Sequence, residues 1–280
     1  MLLAVAVFSL MDTAMKILSA HYPAMQVTAM RGLSSLPLVC VYVLWRGAFG
    51  SLLKVRWPLH FFRAVLGIVM LSLFAYALRL LPLAEAYSIF FVAPLMITAL
   101  SVPLLKERVE PARWWAIVVG LLGVLVVLRP SGAGFFTLGG LAVLGSAACY
   151  AVSSITVRLL GRTDSNESMV FWLMLMLSIG ATALAAAHWL PIRSQDWPVI
   201  AGLAVTGFLG QVLITEAFRH GEASAIAPLE YTALAWGMGL DWVLWHTFPD
   251  RFMLLGAAII VASGVYLIRR EKVHVESEHP

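Results

Sequence analysis

Glu230 is a carboxylate inside an otherwise apolar run, IAPLEYTALAW, at residues 226–236. No basic residue occurs within four positions of it, so its own helix offers no ion-pair partner. An ionisable group at membrane depth costs about 2.5–3.5 kcal/mol on insertion scales and usually faces a bundle interior or a wet cavity. There it can exchange a proton or a cationic substrate. The alternative is a neutral glutamate that only hydrogen-bonds between helices.

Asp12 and Lys16 lie four residues apart in the first apolar run and therefore share one face of a helix. Arg31 lies about one turn inside the next run. Acidic and basic groups at similar depth predict a binding site for a zwitterion. The alternatives are an ion pair that only packs helices together and a Lys16 side chain that extends its amine to the membrane surface.

Glu85 begins another apolar run, and the aromatic side chains of Tyr87 and Phe91 follow it. The rings could line a cavity and stack on an aromatic or cationic ligand. Two structural alternatives remain, because a carboxylate at a helix N-terminus is stabilised by the helix dipole and aromatic residues often serve packing alone.

Polar side chains spaced three or four residues apart form stripes on two further runs. One stripe carries Tyr150 and Ser153, and the other carries Gln211. Hydroxyls and amides bind zwitterions, but they also hold membrane helices together at about 0.6 kcal/mol per bond. Tyr231 and Trp236, in the same run as Glu230, complete the predicted site.

These residues must be positioned by membrane helices. Of the 280 residues, 61% are hydrophobic and 12% are charged, about half the charged fraction of a soluble domain. Apolar runs of about 18 residues or more, long enough to cross a bilayer, recur throughout the chain. We therefore predict an all-α polytopic membrane protein. The ten predicted spans, called spans 1 to 10 below, cover residues 1–19, 26–45, 58–78, 84–105, 112–129, 138–158, 168–187, 198–216, 223–245 and 252–269.

Lysine and arginine concentrate in the loops on one side of this topology, which predicts that this side is cytoplasmic and that both termini face the cytoplasm. The predicted location is the bacterial inner membrane. The basic pI of the chain is explained by these loops and does not predict nucleic-acid binding.

The chain also contains a weak internal repeat, which begins near Tyr76 in the first half and near Glu216 in the second. Five spans per half is an odd number, so the second half must insert upside down. Prolines interrupt corresponding spans, Pro94 in span 4 and Pro228 in span 9, and paired interruptions point to the binding site of inverted-repeat transporters. Proline is also simply common in membrane helices. The predicted divisions are two five-helix repeats, 1–133 and 134–272, and a cytoplasmic tail, 273–280.

The segments LPLAEAYSIFFVAPLMITALSVPLLKERV and GLLGVLVVLRP resemble the first repeat of the EamA family, in the drug/metabolite transporter superfamily. ASAIAPLEYTALAW and LLGAAIIVASGVYLIRR resemble its second repeat. The resemblance implies two inverted five-helix repeats and alternating-access transport of small organic metabolites, often efflux, driven by protons or exchange. It also marks Glu107 at the end of span 4, with His246 at the matching place in the second repeat.

The sequence thus predicts a secondary transporter, and more specifically an exporter of an amino acid or amino-acid derivative, with protons as a coupling ion. The alternatives are an uptake permease for a vitamin or nucleoside-like metabolite, such as riboflavin or S-adenosylmethionine, a membrane-embedded enzyme, and a scaffold or receptor that transports nothing. GxxxxGK[ST], HExxH and GxSxG are absent, so neither ATP hydrolysis nor an enzyme activity is expected. No cofactor or metal is predicted, and the expected partners are a small-molecule substrate and the lipid bilayer, with the chain a monomer or homodimer.

Overall fold

The structure is a computed structural model that describes residues 1–77, 80, 89–128, 137–246 and 250–278. Of the side chains within these ranges, those of residues 75, 241, 244, 245 and 267–278 are outside the description. The predicted site residues Glu85 and Tyr87 also lie outside the described residues.

The described chain is helical throughout and contains no strand. Six of its helices are long and apolar enough to cross a bilayer, and shorter apolar helices accompany them. The prediction of an all-helical polytopic membrane protein is confirmed. Spans 1, 2 and 3 are the helices Leu2–Ser19, Ala24–Trp45 and Trp57–Ala77, and the described part of span 4 is Ala93–Leu105. Spans 5 to 8 are Pro111–Leu128, Leu138–Leu160, Asn166–Ala185 and Trp197–His220. Span 10 is Arg251–Glu278.

Span 9 is built from three pieces, an α-helix Ala223–Ile226, a 3-10 segment Ala227–Thr232 and an α-helix Ala233–Trp245. Pro228 lies at the start of the 3-10 segment. In span 4, Pro94 lies in the first turn of its helix, directly after a short turn at residues 91 and 92. Proline has no N–H to donate, so regular α-helix is broken at both positions.

Helix packing follows a twofold pattern in which each span of the first half corresponds to the span five places later. Spans 1 and 8 pack together, and so do spans 3 and 6, which are the equivalent pair. Span 2 packs on span 7 and span 5 on span 10, each on its own counterpart. The main contacts among the described helices thus agree with the two predicted repeats, whose division stays a prediction.

Glycine permits the close approach of the helices where span 2 packs on span 7 and where span 5 packs on span 10. A Cβ at Gly32 of span 2 would lie 2.5 Å from the Oγ of Ser178 in span 7. A Cβ at Gly123 of span 5 would lie 3.0 Å from the carbonyl oxygen of Gly256 in span 10. Small residues at such positions let membrane helices gain van der Waals contact that larger side chains would prevent.

One end of the bundle, here called the basic end, is formed by loops 46–56, 106–110, 161–165 and 221–222. The two halves are joined there by Glu107, whose carboxylate accepts hydrogen bonds from the backbone N–H groups of Ala223, at 2.9 Å, and Ser224, at 3.0 Å. Arg158 lies 4.0 Å from the same carboxylate, and Arg113 pairs with Glu222. We call this group the basic-end junction. It fixes the start of span 9 against the end of span 4.

The opposite end has a separate anchor between the halves. Tyr22 donates to Asp196 at 2.7 Å, and Gln26 bonds both the N–H and the carbonyl of Leu190. These bonds attach the loop between spans 7 and 8 to the start of span 2.

Candidate functional site

The Glu230 carboxylate is held by a hydrogen bond from another span. The hydroxyl of Tyr150 in span 6 donates to Oε1 of Glu230 at 2.9 Å, and both residues are half-buried. Glu230 lies in the 3-10 segment of span 9, where the broken helix changes the direction in which side chains project. No cation of the described residues lies within ion-pair distance of this carboxylate.

Tyr231 fixes the position of this segment by packing. Its side chain is fully buried, with its ring 6.0 Å from that of Phe91 in span 4. A Cβ at Gly120 of span 5 would lie only 2.5 Å from the same ring. Tyr231 and Phe91 thus pack against each other beside Glu230, and the ligand-stacking role of Phe91 stays a prediction.

Arg63 of span 3 joins this group, and sequence reasoning missed it. Its side chain is 4% exposed, its Nη1 donates to the carbonyl of Met169 at 3.2 Å, and its Nε has no partner among the described residues. It interacts electrostatically with Tyr150. The sequence carried a signal, because an arginine several residues inside an apolar run has the same cost as a buried glutamate. We call Glu230, Tyr150 and Arg63 the Glu230 cluster.

Aromatic rings cover one side of the Glu230 cluster. The Phe90 ring centroid lies 5.7 Å from that of Tyr150, and Phe74 lies 5.5 Å from Phe90. Phe90 thus lies beside the polar groups, where an aromatic lining was predicted for this run of span 4.

Asp12 and Arg31 form a second polar group, here called the Asp12 cluster. The guanidinium of Arg31 interacts electrostatically with Asp12, but the two described side chains form no ion pair within 4.0 Å. Arg31 lies 5.6 Å from the ring centroid of Phe8, and its Nε is buried without a partner in the described structure. Asp12 and Lys16 are both exposed on span 1. The arrangement differs from the compact packing ion pair that was the structural alternative.

The two clusters lie on contacting elements, because span 1 packs on both the 3-10 segment and the second helix of span 9. No hydrogen bond connects Asp12 with Glu230 in the described structure. The molecule thus presents two separate acid–arginine groups in one part of the bundle.

The remaining candidates lie outside these clusters. The Gln211 amide is buried and donates to Thr215 on its own helix at 3.2 Å, as expected for a packing residue. Ser153 is half-buried on span 6, and Trp236 is 48% exposed on span 9. Within the described ranges, neither side chain forms a hydrogen bond or ring contact with Glu230 or Asp12.

Among the described residues, no group of three His, Cys, Asp or Glu side chains could hold a metal ion. Hydrogen-bonded carboxyl groups and guanidinium groups with unused donors are suited to reversible binding of a charged organic molecule.

Backbone conformation bears on the relation between Glu107 and the second repeat. Lys106 and His246, which follow the last helices of spans 4 and 9, both adopt left-handed backbone with φ of 59° and 53°. This match pairs His246 with Lys106, one residue from the predicted pairing of His246 with Glu107. The residue after His246 is Thr247, which lies outside the described residues.

Comparison with known proteins decides the family. The model of the EamA-like transporter family matches residues 1–129 and again residues 137–270. The chain belongs to this family. Its two matches agree with the twofold packing of spans.

Curated relatives of this EamA-family chain are transporters of different metabolites. The pseudopaline exporter CntI of Pseudomonas aeruginosa is 28% identical over 95% of this chain and 93% of its own length. The riboflavin transporter of Vibrio cholerae is 27% identical over 97% and 92%. The S-adenosylmethionine uptake transporter of Rickettsia conorii is 27% identical over 96% and 90%.

A solved crystal structure shares the fold. It covers 93% of each chain with a TM-score of 0.84 and 21% identity. The EamA-family chain is thus a multi-pass membrane transporter of the metabolite type.

Proposed function

We propose that this transporter exports an amino acid or amino-acid derivative that carries both carboxylate and amine groups, by alternating access and in exchange for protons. The observation that carries the proposal is the pair of acid–arginine clusters on contacting spans, in neither of which the acid and the arginine form an ion pair. Because no direct ion pair closes either cluster, its charged groups keep hydrogen-bonding capacity for a ligand.

Each cluster offers complementary chemistry. The guanidinium groups of Arg31 and Arg63 retain unused donors, and planar guanidinium groups favour carboxylates. The carboxyl groups of Asp12 and Glu230 suit a substrate amine. The rings of Phe8 and Phe90 border the clusters and can contact the apolar part of the same molecule.

Proton coupling is assigned to Glu230. A single tyrosine hydroxyl bonds its carboxyl group, and no described cation compensates it. In surroundings of low polarity such a carboxyl group is stable either protonated or paired with a substrate cation. A bound proton then excludes the substrate cation, and a bound substrate cation excludes the proton. Exchange of substrate for protons requires this exclusion.

The direction of transport rests on the similarity to the pseudopaline exporter. Uptake is the second candidate, because the riboflavin and S-adenosylmethionine transporters are similar over as much of the chain. Flux assays in oriented liposomes, loaded either inside or outside, separate the two.

The test uses purified protein and a thermal-shift screen of amino acids, amino-acid-derived polycarboxylates, riboflavin and S-adenosylmethionine. The compound that stabilises the protein most is then followed by flux in proteoliposomes between pH 5.5 and 8. We expect wild-type flux to depend on pH and Glu230→Gln to be at least about tenfold slower with a flat pH profile, because the amide cannot exchange a proton and loses about 1.4 kcal/mol or more of interaction.

Glu216→Gln is the matched control, because Glu216 bonds His220 near the basic end of span 8 and lies outside both clusters. It should keep the wild-type rate and pH profile. Full flux with an unchanged pH profile in Glu230→Gln would contradict proton coupling, and stabilisation by none of the zwitterions would contradict the substrate class.

A further inference from the structure

A groove at the basic end has no place in the transport proposal. It opens between the short helix Phe49–Leu53, the loop 161–165 and the end of span 8, and its volume is about 490 Å³. Its lining is made of polar and basic residues. They are Gly50, Ser51, Lys54, Gly161, Arg162, Thr163, Asp164, Ser165 and Arg219.

The groove carries an excess of positive charge. Lys54 and Arg162 are exposed, and neither forms an ion pair with a described residue. Arg219 is the third cation, with its Nε 3.5 Å from the carbonyl of Gly161 and its Nη1 4.0 Å from a carboxylate oxygen of Glu216. Asp164 is the acid of the lining, but it is 4% exposed and bonded to His60 at 2.8 Å. Its carboxylate also accepts from Thr163 and from the backbone N–H of Arg56, so it forms no ion pair with Lys54 or Arg162.

Hydroxyl groups line the same place. Ser51 of the short helix and Ser165 of the loop lie 3.0 Å apart across the groove, and Ser168 contacts both. The hydroxyl of Ser51 donates to the carbonyl of Ala48 at 2.7 Å, and that of Ser168 donates to the carbonyl of Ser51 at 3.0 Å. The hydroxyls therefore shape the groove, and the cations supply the donors that an anion would accept from.

The groove borders an exposed apolar surface. Phe49 is 56% exposed and Leu53 is 76% exposed on the short helix, and Trp57 at the start of span 3 is 43% exposed. Aromatic residues at the ends of membrane spans belong at the level of the lipid headgroups. The cations therefore lie where a headgroup phosphate is found and the apolar side chains lie where acyl chains begin.

We propose that the groove binds the phosphodiester headgroup of an anionic phospholipid, with its phosphate between Lys54, Arg162 and Arg219 and its acyl chains against Phe49, Leu53 and Trp57. Basic recesses between membrane helices on the cytoplasmic side bind such headgroups. The lipid bridges the short helix of the first half and the loop of the second half. The proposal is independent of the transported substrate.

The experiment compares binding of phosphatidylglycerol and phosphatidylcholine to the purified full-length protein in detergent, by native mass spectrometry and by thermal shift. The double variant Lys54→Gln/Arg162→Gln removes two cations and leaves Arg219, which packs against Gly161. We expect wild type to bind phosphatidylglycerol preferentially and the variant to bind it about thirtyfold more weakly, at about fivefold for each cation.

The matched control is Arg108→Gln/Arg251→Gln, which removes two exposed cations outside the groove and should bind phosphatidylglycerol as wild type does. Equal affinity of wild type and the Lys54/Arg162 variant would overturn the proposal. A further arm adds inorganic phosphate. If inorganic phosphate raises the melting temperature and phosphatidylglycerol raises it no further than phosphate does, the groove is a free-phosphate site and the lipid assignment is wrong.

Discussion

At the scale of single residues, charged side chains of this transporter fall into two kinds. Carboxylates near the ends of the bundle have several partners. Glu167 bonds Arg46 at 3.0 Å and Tyr42 at 3.3 Å, for example. Charged groups deep in the bundle, such as Glu230 and Arg63, have few. We expect the first kind to stabilise the fold, and we propose that the second kind binds ligands.

Asp164 shows how strongly an end carboxylate can be stabilised. Burial raises its pKa, but hydrogen bonds from Thr163, from His60 and from the backbone N–H of Arg56 lower the pKa by more, so it lies below the usual value. Its carboxylate therefore stabilises the folded protein above the unfolded-state pKa of about 3.9, and this contribution is lost as pH falls through the folded-state pKa.

We predict that Asp164→Asn lowers the free energy of unfolding near pH 7 by about 1–3 kcal/mol, because buried donors lose a charged acceptor. Melting temperatures in detergent across the acidic range should show the difference from wild type shrinking as the carboxylate of wild type becomes protonated. A deficit that stays constant down to the lowest pH would disprove the role of ionisation.

At the scale of elements, span 9 combines what sequence could and could not predict. Pro228 correctly marked a place where the α-helix is interrupted, because the effect of proline is local. The hydrogen bond from Tyr150 to Glu230 joins residues 80 positions apart in the chain, and only the packing of span 6 near span 9 creates it. Arg63 was missed for the same reason, since its partners belong to spans 6 and 7.

Spans 5 and 10 provide an element-scale prediction. Gly123→Ala places a methyl group 2.8 Å from a side-chain atom of Ile260 and 3.0 Å from a backbone oxygen, so the helices must separate. We expect a loss of about 1–3 kcal/mol in stability, the usual cost of overpacking. Thermal denaturation in detergent measures it.

Gly67→Ala in span 3 is the control, because nothing lies within 4 Å of an added Cβ there. Higher helix propensity of alanine should leave that variant as stable as wild type or slightly more so. Equal melting temperatures for the two variants would contradict the close contact of spans 5 and 10.

At the scale of the whole molecule, the helical membrane fold could be predicted from composition and from the length of the apolar runs. The repeat was predicted from an internal sequence comparison and from the family resemblance, and the paired helix contacts agree with it. The proposed substrate-binding residues are harder to predict, because each cluster assembles side chains from different spans and their orientation depends on packing. Asp12 and Arg31 could be grouped from the sequence because they lie on adjacent spans at similar depth, and their role in binding stays a prediction.

The basic-end junction gives the whole-molecule prediction. Glu107→Gln replaces a charged acceptor of two backbone N–H groups by an amide oxygen, which weakens the attachment of span 9 to span 4. We expect the basic end to open more often. A cysteine at the buried position Ala227, in a background lacking Cys40 and Cys149, should react with a membrane-impermeant thiol reagent about threefold to tenfold faster, for a weakening of about 1 kcal/mol.

Glu216→Gln is the control for loss of a carboxylate near the basic end, because Glu216 bonds His220 outside the junction, and it should leave the labelling rate unchanged. An unchanged rate in Glu107→Gln would show that the junction does not hold the basic end closed.

The matching backbone of Lys106 and His246 leads to an expectation about kinetics. A carboxylate holds the start of span 9 at the basic end, whereas the residue that follows His246 in the sequence is the neutral Thr247. If the predicted repeat holds, we expect the closures at the two ends of the carrier to differ in free energy and the empty carrier to rest mainly in the conformation closed at the basic end. A ligand that arrives at the basic end would then meet only the minority of open molecules, and its apparent affinity from that side would be reduced by the open fraction.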